Sequence, residues 1–309
     1  MTQFDVSVGI SPRQSFDSWA AFVAGLEAEG VRRIWVIDSQ LAMKDVYAGL
    51  VIAALNTQRV GLGTGVTNAV TRHPTVTANA IAAIAELSHG RAILGLGAGD
   101  SALYGIGLKP QKVAEVEEAI GFFRSHVDRS VPIHLAVSQP RMCELAGRLA
   151  DGAIVMGPAQ PDMVRHQVEW IEAGLKAADR NRKEFEIAFM ATLASEPEDI
   201  RSWASTQARL LGQYRELPES LLRFRDEITR SVESYDYSEH LSTHASHGAA
   251  VSDDLVRALG IVGTSEECAA RLRALGATGL DALIFPLAGR HRLDRWRKIR
   301  SEVLDQVIV

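Results

Sequence analysis

The chain is poor in several features that define other protein classes. Only two cysteines, Cys143 and Cys268, occur among 309 residues. With no secretion signal to accompany them, a disulfide framework is not expected and a reducing cytoplasm is the expected setting. There is no excess of positive charge: 33 Lys and Arg stand against 38 Asp and Glu, a net charge of −5. That balance argues against nucleic acid and against an anionic membrane surface as the main partner. No run of about twenty apolar residues occurs, so no membrane span is expected. The opening residues, MTQFDVSVGI, lack a basic stretch followed by a long apolar core and do not read as a signal peptide. The H-E-x-x-H zinc motif is missing. His240, His244 and His247 lie close together without a carboxylate at fixed helical spacing, so they read as pocket or surface residues and no metal site is expected. No G-x-S-x-G nucleophile motif occurs, and Cys143 sits among Met142, Leu145 and Ala146, which points to burial rather than reactivity.

What is present is an alternation. Hydrophobic residues make up 47% of the chain and charged residues 23%, an ordinary globular composition. Short apolar, β-branched runs fall at residues 4–10, 33–38, 60–65, 92–97, 133–137, 152–157, 185–193 and 281–285. Each is followed by a stretch with apolar residues at helical spacing. Near-continuous apolar strands separated by helices predict a parallel sheet covered on both faces. Eight such units in this length predict an α/β fold of the (β/α)8 TIM-barrel type, one domain over residues 1–309. The regularity breaks at about residues 197–252, a mostly helical stretch richer in charge, Tyr and His. It reads as an insertion between strands 7 and 8, on the barrel's C-terminal face.

In such a barrel the working groups sit where strands end and βα loops begin. That rule selects Asp38, the stretch from Gly63 to Asn68, Gly97 to Ser101, Ser138, Gly157 and Gly263-Thr264. Gly97-Ala98-Gly99-Asp100-Ser101-Ala102 formally fits the dinucleotide fingerprint, but "LYGIGLKP" precedes the next long helix and the strand is the fourth. A dinucleotide is therefore not expected. Small residues that let the barrel pack, or a loop that lines a cofactor pocket, are the remaining readings. In "IVGTSEECAARL", Thr264 and Glu267 form a capping box behind Gly263. Such a helix start either binds a phosphate or is simply well capped. "GLGTGVTNAVTRHP" predicts a distorted strand end carrying Thr67, Asn68, Arg72 and His73. His73 is either structural or a proton-handling group, and the proline after it predicts an extended backbone.

Taken together, "LGTGVTNAVTRHP", "ELSHGRAILGLGAGDSALYGIGLKP", "IHLAVSQPRMCELAGRLADGAIVMG" and "VGTSEECAARL" resemble the bacterial luciferase-like superfamily of flavin-dependent barrels. Within it the chain is most similar to the deazaflavin-using branch that includes methylenetetrahydromethanopterin reductase. The resemblance implies coenzyme F420, or alternatively FMN, as cofactor, a small-molecule substrate and a homodimer. It implies a non-proline cis peptide at the end of the third strand, here Gly65-Val66, against which the tricyclic ring rests. Further ring contacts are implied for Asp38, Thr67, Asn68, Gly97, Gly99, Asp100, Ser101 and Ser138, and phosphate contacts for Gly157, Gly263 and Thr264. The expected activity is hydride transfer between coenzyme F420 and a small organic substrate, with His73 or Asp38 handling the proton and Tyr235 and Tyr237 closing over the substrate. The alternatives are an FMN monooxygenase using reduced flavin and O2, and a barrel that binds a cofactor without turnover. One departure stands out. The resemblance implies a proton-donating glutamate near the end of the first strand, whereas "FDVSVGISP" has no carboxylate after Asp5, so another substrate or another donor is expected.

Overall fold

A computed structural model describes residues 5–40, 42–237 and 246–307. The chain alternates strand and helix from its start: β1 (Asp5–Ile10), α1 (Phe16–Ala28), β2 (Arg33–Val36), α2 (Val46–Leu55), β3 (Gly61–Thr64), α3 (Pro74–Leu87) and β4 (Ala92–Leu96). It continues through α4 (Asp100–Tyr104), α5 (Val113–His126), β5 (Ile133–Val137), α6 (Pro140–Leu149), β6 (Gly152–Val155), α7 (Pro161–Ala177) and β7 (Glu186–Met190). After β7 come β8 (Leu193–Ala194), α8 (Arg201–Leu211), α9 (Arg225–Glu233), α10 (Asp253–Leu259) and β9 (Ile261–Val262), and then α11 (Ser265–Gly276), β10 (Ala282–Leu287) and α12 (Arg292–Glu302). The strands β1-β10-β7-β6-β5-β4-β3-β2 close into an eight-stranded parallel barrel. The fold is the expected (β/α)8 barrel.

Alternation along each strand separates two cores. Outward residues such as Val8, Ile34, Leu62, Leu94 and Leu135 pack under the helices in one large cluster. Inward residues form a smaller one, with Trp35, Ile93, Ile154, Ala188, Ala282 and Ile284 filling the lumen. Space in the lumen is shared by pairing a large inward residue with glycine on the next strand. A Cβ on Gly63 would stand 2.5 Å from the Trp35 indole, one on Gly61 2.9 Å from Arg33, and one on Gly152 2.6 Å from the His134 ring. The glycines of "VGLGTG" are therefore set by their neighbour's bulk, since interiors are packed without spare volume.

Below Trp35 the lumen holds charge. Arg33 forms an ion pair with Glu186, and His134 Nδ1 lies 3.9 Å from Glu186 Oε1. The His134 ring sits 5.4 Å from that of Trp35.

Two short strands escaped the sequence pattern. The run at 185–193 is broken: β7 ends at Met190, and β8 leaves the barrel to pair in parallel with β9. Between them the helices α8, α9 and α10 bury their own apolar cluster, including Ala204, Leu211, Phe224, Leu255 and Leu259. Among the described residues no helix is long and apolar enough to cross a membrane, and no group of three or more metal-ligating side chains occurs.

Burial pushes the His134 pKa from its ordinary 6.5 down to about 4, with Glu186 opposing the shift. The unfolded chain therefore binds this proton at higher pH than the folded one, and stability falls as pH drops between those values. The slope is about 1.4 kcal/mol per pH unit for a single group. Urea midpoints taken at about pH 7 and about pH 5 are expected to differ more for the wild type than for His134→Gln. Equal differences would contradict a neutral, buried His134.

Candidate active site

The C-terminal ends of the strands carry most of the residues singled out above. At the end of β2, Asp38 is buried and both its oxygens are engaged. Its Oδ2 accepts from Thr67 Oγ1 at 2.8 Å and from Arg72 Nη1 at 2.6 Å, and its Oδ1 accepts from Gln40 Nε2 at 3.0 Å. Arg72 also donates to Asp45 at 2.7 Å and lies over the Tyr47 ring, 5.1 Å from its centroid. Burial works against the charge on Arg72, but Asp38 and Asp45 outweigh it and hold the pKa above its ordinary value. Burial alone would raise Asp45, yet the Ala48 amide, Arg72 and the Tyr47 amide bring it below the usual carboxylate range.

The segment after β3 is shaped by the same network. The Gly65-Val66 peptide is cis. Gly65 N–H donates to Val36 O, Thr67 N–H to Gly95 O, and Gly97 N–H to Thr67 O, so the chain beyond β3 stays laced to both neighbours. Asn68 is buried, and its Oδ1 accepts from the amides of Val70 and Thr71, closing a turn. His73 is exposed and caps α3: its Nδ1 accepts from Thr75 N–H at 3.3 Å and lies 2.8 Å from Thr75 Oγ1. Its backbone is extended, as the following proline requires.

The glycines of β4 have a more local purpose than a ligand. A Cβ on Gly95 would fall 1.9 Å from the Thr64 carbonyl, and one on Gly97 would fall 2.9 Å from Val66. Gly99 adopts φ +93°, and a Cβ there would meet Leu103 at 2.5 Å. These glycines admit the chain's own Thr64, Val66 and Leu103. A short helix, α4, opens directly at Asp100, where the sequence pattern showed only a loop. Ser101 follows in its first turn, half-buried. The Asp100 carboxylate is bound by Arg209 of α8, Nη2 to Oδ2 at 2.5 Å and Nη1 to Oδ1 at 3.3 Å.

On the β5–β6 side, the Ser138 carbonyl accepts from Tyr214 Oη and from Gln167 Nε2, and Gln167 Nε2 also donates to Met156 O. Gly157 leaves room for the same Gln167 side chain, 3.1 Å from where a Cβ would stand. The Thr264–Glu267 capping box is present: Thr264 N–H donates to Glu267 Oε2 at 2.8 Å and Glu267 N–H to Thr264 Oγ1 at 3.3 Å. That helix start is therefore served by a carboxylate of the chain itself. Burial pushes the Cys268 thiol up to about 11 and the Cys143 thiol higher still, so neither is a thiolate.

Within this ring lies an apolar floor. Val66 and Met190, each half-buried, pack on the lumen cluster of Trp35, Ile154 and Ile284. Among the described residues, the buried polar atoms without a hydrogen-bond partner include three in segments that follow barrel strands, Gln40 Oε1 after β2, Gln139 Nε2 after β5 and Thr192 Oγ1 after β7, and also Gln207 Oε1 of α8. An apolar face with an unsatisfied polar edge suits a planar heterocycle. The network brings Asp38, Thr67 and Arg72 together, and Arg209 links Asp100 with Tyr237, while Asn68 closes a separate turn and His73 stands apart at a helix cap. Trp35, Gln167, Arg209 and Tyr214 were missed. Trp35 could have been found by strand parity, since it alternates with Ile34 and Val36. His240 and His244 lie outside the described residues, as does the side chain of His247.

Comparisons with known proteins bear on this geometry. Residues 1–126 and 112–282 match the sequence profile described as luciferase-like monooxygenase. The 5,10-methylenetetrahydromethanopterin reductase of Methanolobus tindarius is 28% identical over 289 residues, covering 84% of this chain and 86% of that protein. The solved coenzyme F420 dependent tetrahydromethanopterin reductase from Methanopyrus kandleri superposes with a TM-score of 0.80 at 19% identity, covering 99% of both chains. An F420-dependent secondary alcohol dehydrogenase in complex with an F420-acetone adduct superposes with a TM-score of 0.75 at 17% identity, again over 99% of both.

Removing the cation from the Asp38 network should leave a buried carboxylate unpaired. Arg72→Ala is expected to cost about 3–5 kcal/mol in chemical denaturation, and Arg72→Lys distinctly less. A loss below about 1 kcal/mol for the alanine variant would show that Asp38 does not depend on this partner.

Proposed function

Because this chain belongs to the luciferase-like monooxygenase family, we propose that it is an oxidoreductase using coenzyme F420 on a small organic substrate held over the barrel mouth. The observation that carries this reading is the apolar cluster of Trp35, Val66, Met190 and Ile284 in the barrel, together with buried, unpartnered polar atoms in the segments that follow β2, β5 and β7. Those residues fit a tricyclic ring, whose faces are apolar and whose edge carries hydrogen-bonding groups. When bound, the deazaflavin supplies a carbon that exchanges hydride with the substrate.

The chain's own residues divide the remaining work. Gly65 and Val66 meet the ring face, while the backbone of Gly97 and Gly99 and the side chains of Asp100 and Ser101 line its edge, and the buried Thr67 and Asn68 hold the loop behind it. Asp38 has both oxygens committed, so its role is to hold Thr67 and Arg72 in place. Proton handling is assigned to His73, which stands apart from this network at the cap of α3; with Nδ1 accepting from Thr75 N–H, its Nε2 is left free to hold or pass a proton. The phosphate side lies at Ser138 and Gly157, where α6 begins and the Gln139 amide nitrogen has no partner. Gly263 and Thr264 are a second position, weakened as an anion site by the Glu267 carboxylate already there. Toward the C-terminal end of β1 the residues on the lumen parity are Ser7 and Gly9, and neither is a carboxylate, which supports a substrate other than a methylene pterin.

A homodimer is part of the same proposal. Helix α2, VYAGLVIAAL, carries no charged residue, and Leu55 at its end is 61% exposed. Val76 on the neighbouring α3 is 56% exposed. A surface helix apolar on all sides calls for a second layer, and another copy of this chain supplies one.

Titrating the protein side by side with coenzyme F420 and with FMN is expected to give at least about tenfold tighter binding of F420, or about 1.4 kcal/mol. Tighter FMN binding with oxygen consumption would replace this reading by a monooxygenase, and binding without turnover of any hydride acceptor would make the barrel non-catalytic. For the dimer, Leu55→Lys combined with Val76→Glu should shift the sedimentation coefficient to that of a monomer. A wild-type monomer, or an unshifted variant dimer, would refute the α2–α3 interface.

A further inference from the structure

The insertion meets the barrel mouth through one concentrated cluster. Asp100 and Tyr104 stand one turn apart on α4, so they share a face. Opposite them, from the insertion, come Arg209 of α8 and Tyr235 and Tyr237. Arg209 is only 3% exposed. Its guanidinium bonds both Asp100 oxygens, donates to Tyr237 Oη at 3.2 Å, and lies 4.9 Å and 5.3 Å from the ring centroids of Tyr235 and Tyr237. Tyr237 in turn sits 4.6 Å from Tyr104, and Tyr235 Oη lies 3.0 Å from Thr206 Oγ1 of α8. Burial works against the charge on Arg209, and Asp100 more than restores it.

Holding a buried guanidinium to a carboxylate that is itself 38% exposed is a poor device for stability alone, because an apolar side chain at the Arg209 position would avoid the cost of desolvating the charge. What it adds is direction: a two-pronged guanidinium–carboxylate contact fixes orientation as well as distance. The apolar cluster that holds α8 is separate from the barrel's own, so the angle between the insertion and α4 is set by polar contacts of this kind. The pair also cancels the Asp100 charge beside the mouth.

We propose that Arg209 is a positioning residue: through Asp100 and the two tyrosines it holds the insertion against the start of α4 and so controls how long a planar cofactor stays at the mouth. The proposal rests on the cofactor reading for its kinetic consequence, because Gly99, Asp100 and Ser101 are the residues assigned there to the ring's edge. The contact itself is independent of that reading. Arg209 touches no reacting atom and acts only by placing α4 and the tyrosines.

The test compares the wild type with Arg209→Ala, Arg209→Lys, the exchange Asp100→Arg with Arg209→Asp, and a control, Arg201→Ala. Arg201 lies on the same helix, but its ion pairs with Glu198 and Asp253 stay within the insertion. Dissociation of coenzyme F420 is followed by stopped-flow fluorescence. Arg209→Ala should release it about tenfold faster or more, since freeing the insertion from α4 opens the exit without changing the ring's own contacts. Arg209→Lys should fall between, the exchange should recover part of the loss, and Arg201→Ala should leave the rate within about twofold. An unchanged rate in Arg209→Ala, or an equal acceleration in Arg201→Ala, would overturn the proposal. If the wild type binds no F420, the cofactor reading fails on its own, and ligand-free protein decides the rest: chymotrypsin should cut after Tyr235 and Tyr237 faster in Arg209→Ala and more slowly again in the exchange. Equal cleavage in all variants would refute the clamp.

Discussion

The Trp35 indole, packed against Gly63 on the adjacent strand, is the contact that sets the floor of the candidate site. Gly63 admits the indole itself, and Gly65 admits the Trp35 Cβ and backbone. Val66 can then lean over the lumen because β4 offers Gly95 and Gly97 rather than side chains. The floor of the candidate site is thus an outcome of packing between adjacent strands. A larger residue at Gly63, Gly65 or Gly95 would displace ring or backbone, and one at Gly97 would displace Val66.

Polar chemistry is distributed around that floor on two sides. On the β2–β3 side, Asp38 gathers Thr67, Gln40 and Arg72 into one buried network, and Arg72 ties it to the cap of α2 through Asp45. On the β4–β6 side the groups arrive from the insertion: Arg209 reaches Asp100, and Tyr214 reaches the Ser138 carbonyl. The two halves differ in kind. The first is built from consecutive βα loops, and the second depends on an added helical layer with a core of its own. That division gives the barrel a fixed wall and a wall whose placement rests on a few directional contacts.

Much of this was legible in the chain. Near-continuous apolar runs followed by helical spacing indicated the barrel, and β5 falls on the expected residues 133–137 because its apolar run is sharply bounded. The capping box at Thr264 formed as its residue spacing requires. What sequence could not convey was who occupies the space beside a glycine. The β4 glycines read as room for a ligand, yet their room is taken by Val66, Thr64 and Leu103, partners whose position depends on strand register. Arg209 gave no signal, since nothing in "ASTQARLL" points to an aspartate more than a hundred residues earlier. Short elements such as β8, β9 and α4 were missed because two to five residues carry too little periodicity to register.

The central claim is that Trp35, Val66, Met190 and Ile284 form the surface on which a flat redox heterocycle rests. A crystal structure of the protein grown with coenzyme F420 tests it most directly. The account predicts the tricycle lying face-down on Val66 and Met190, with the Trp35 indole still packed against Gly63. Ring density away from the mouth, or an indole turned upward into the mouth, would contradict it.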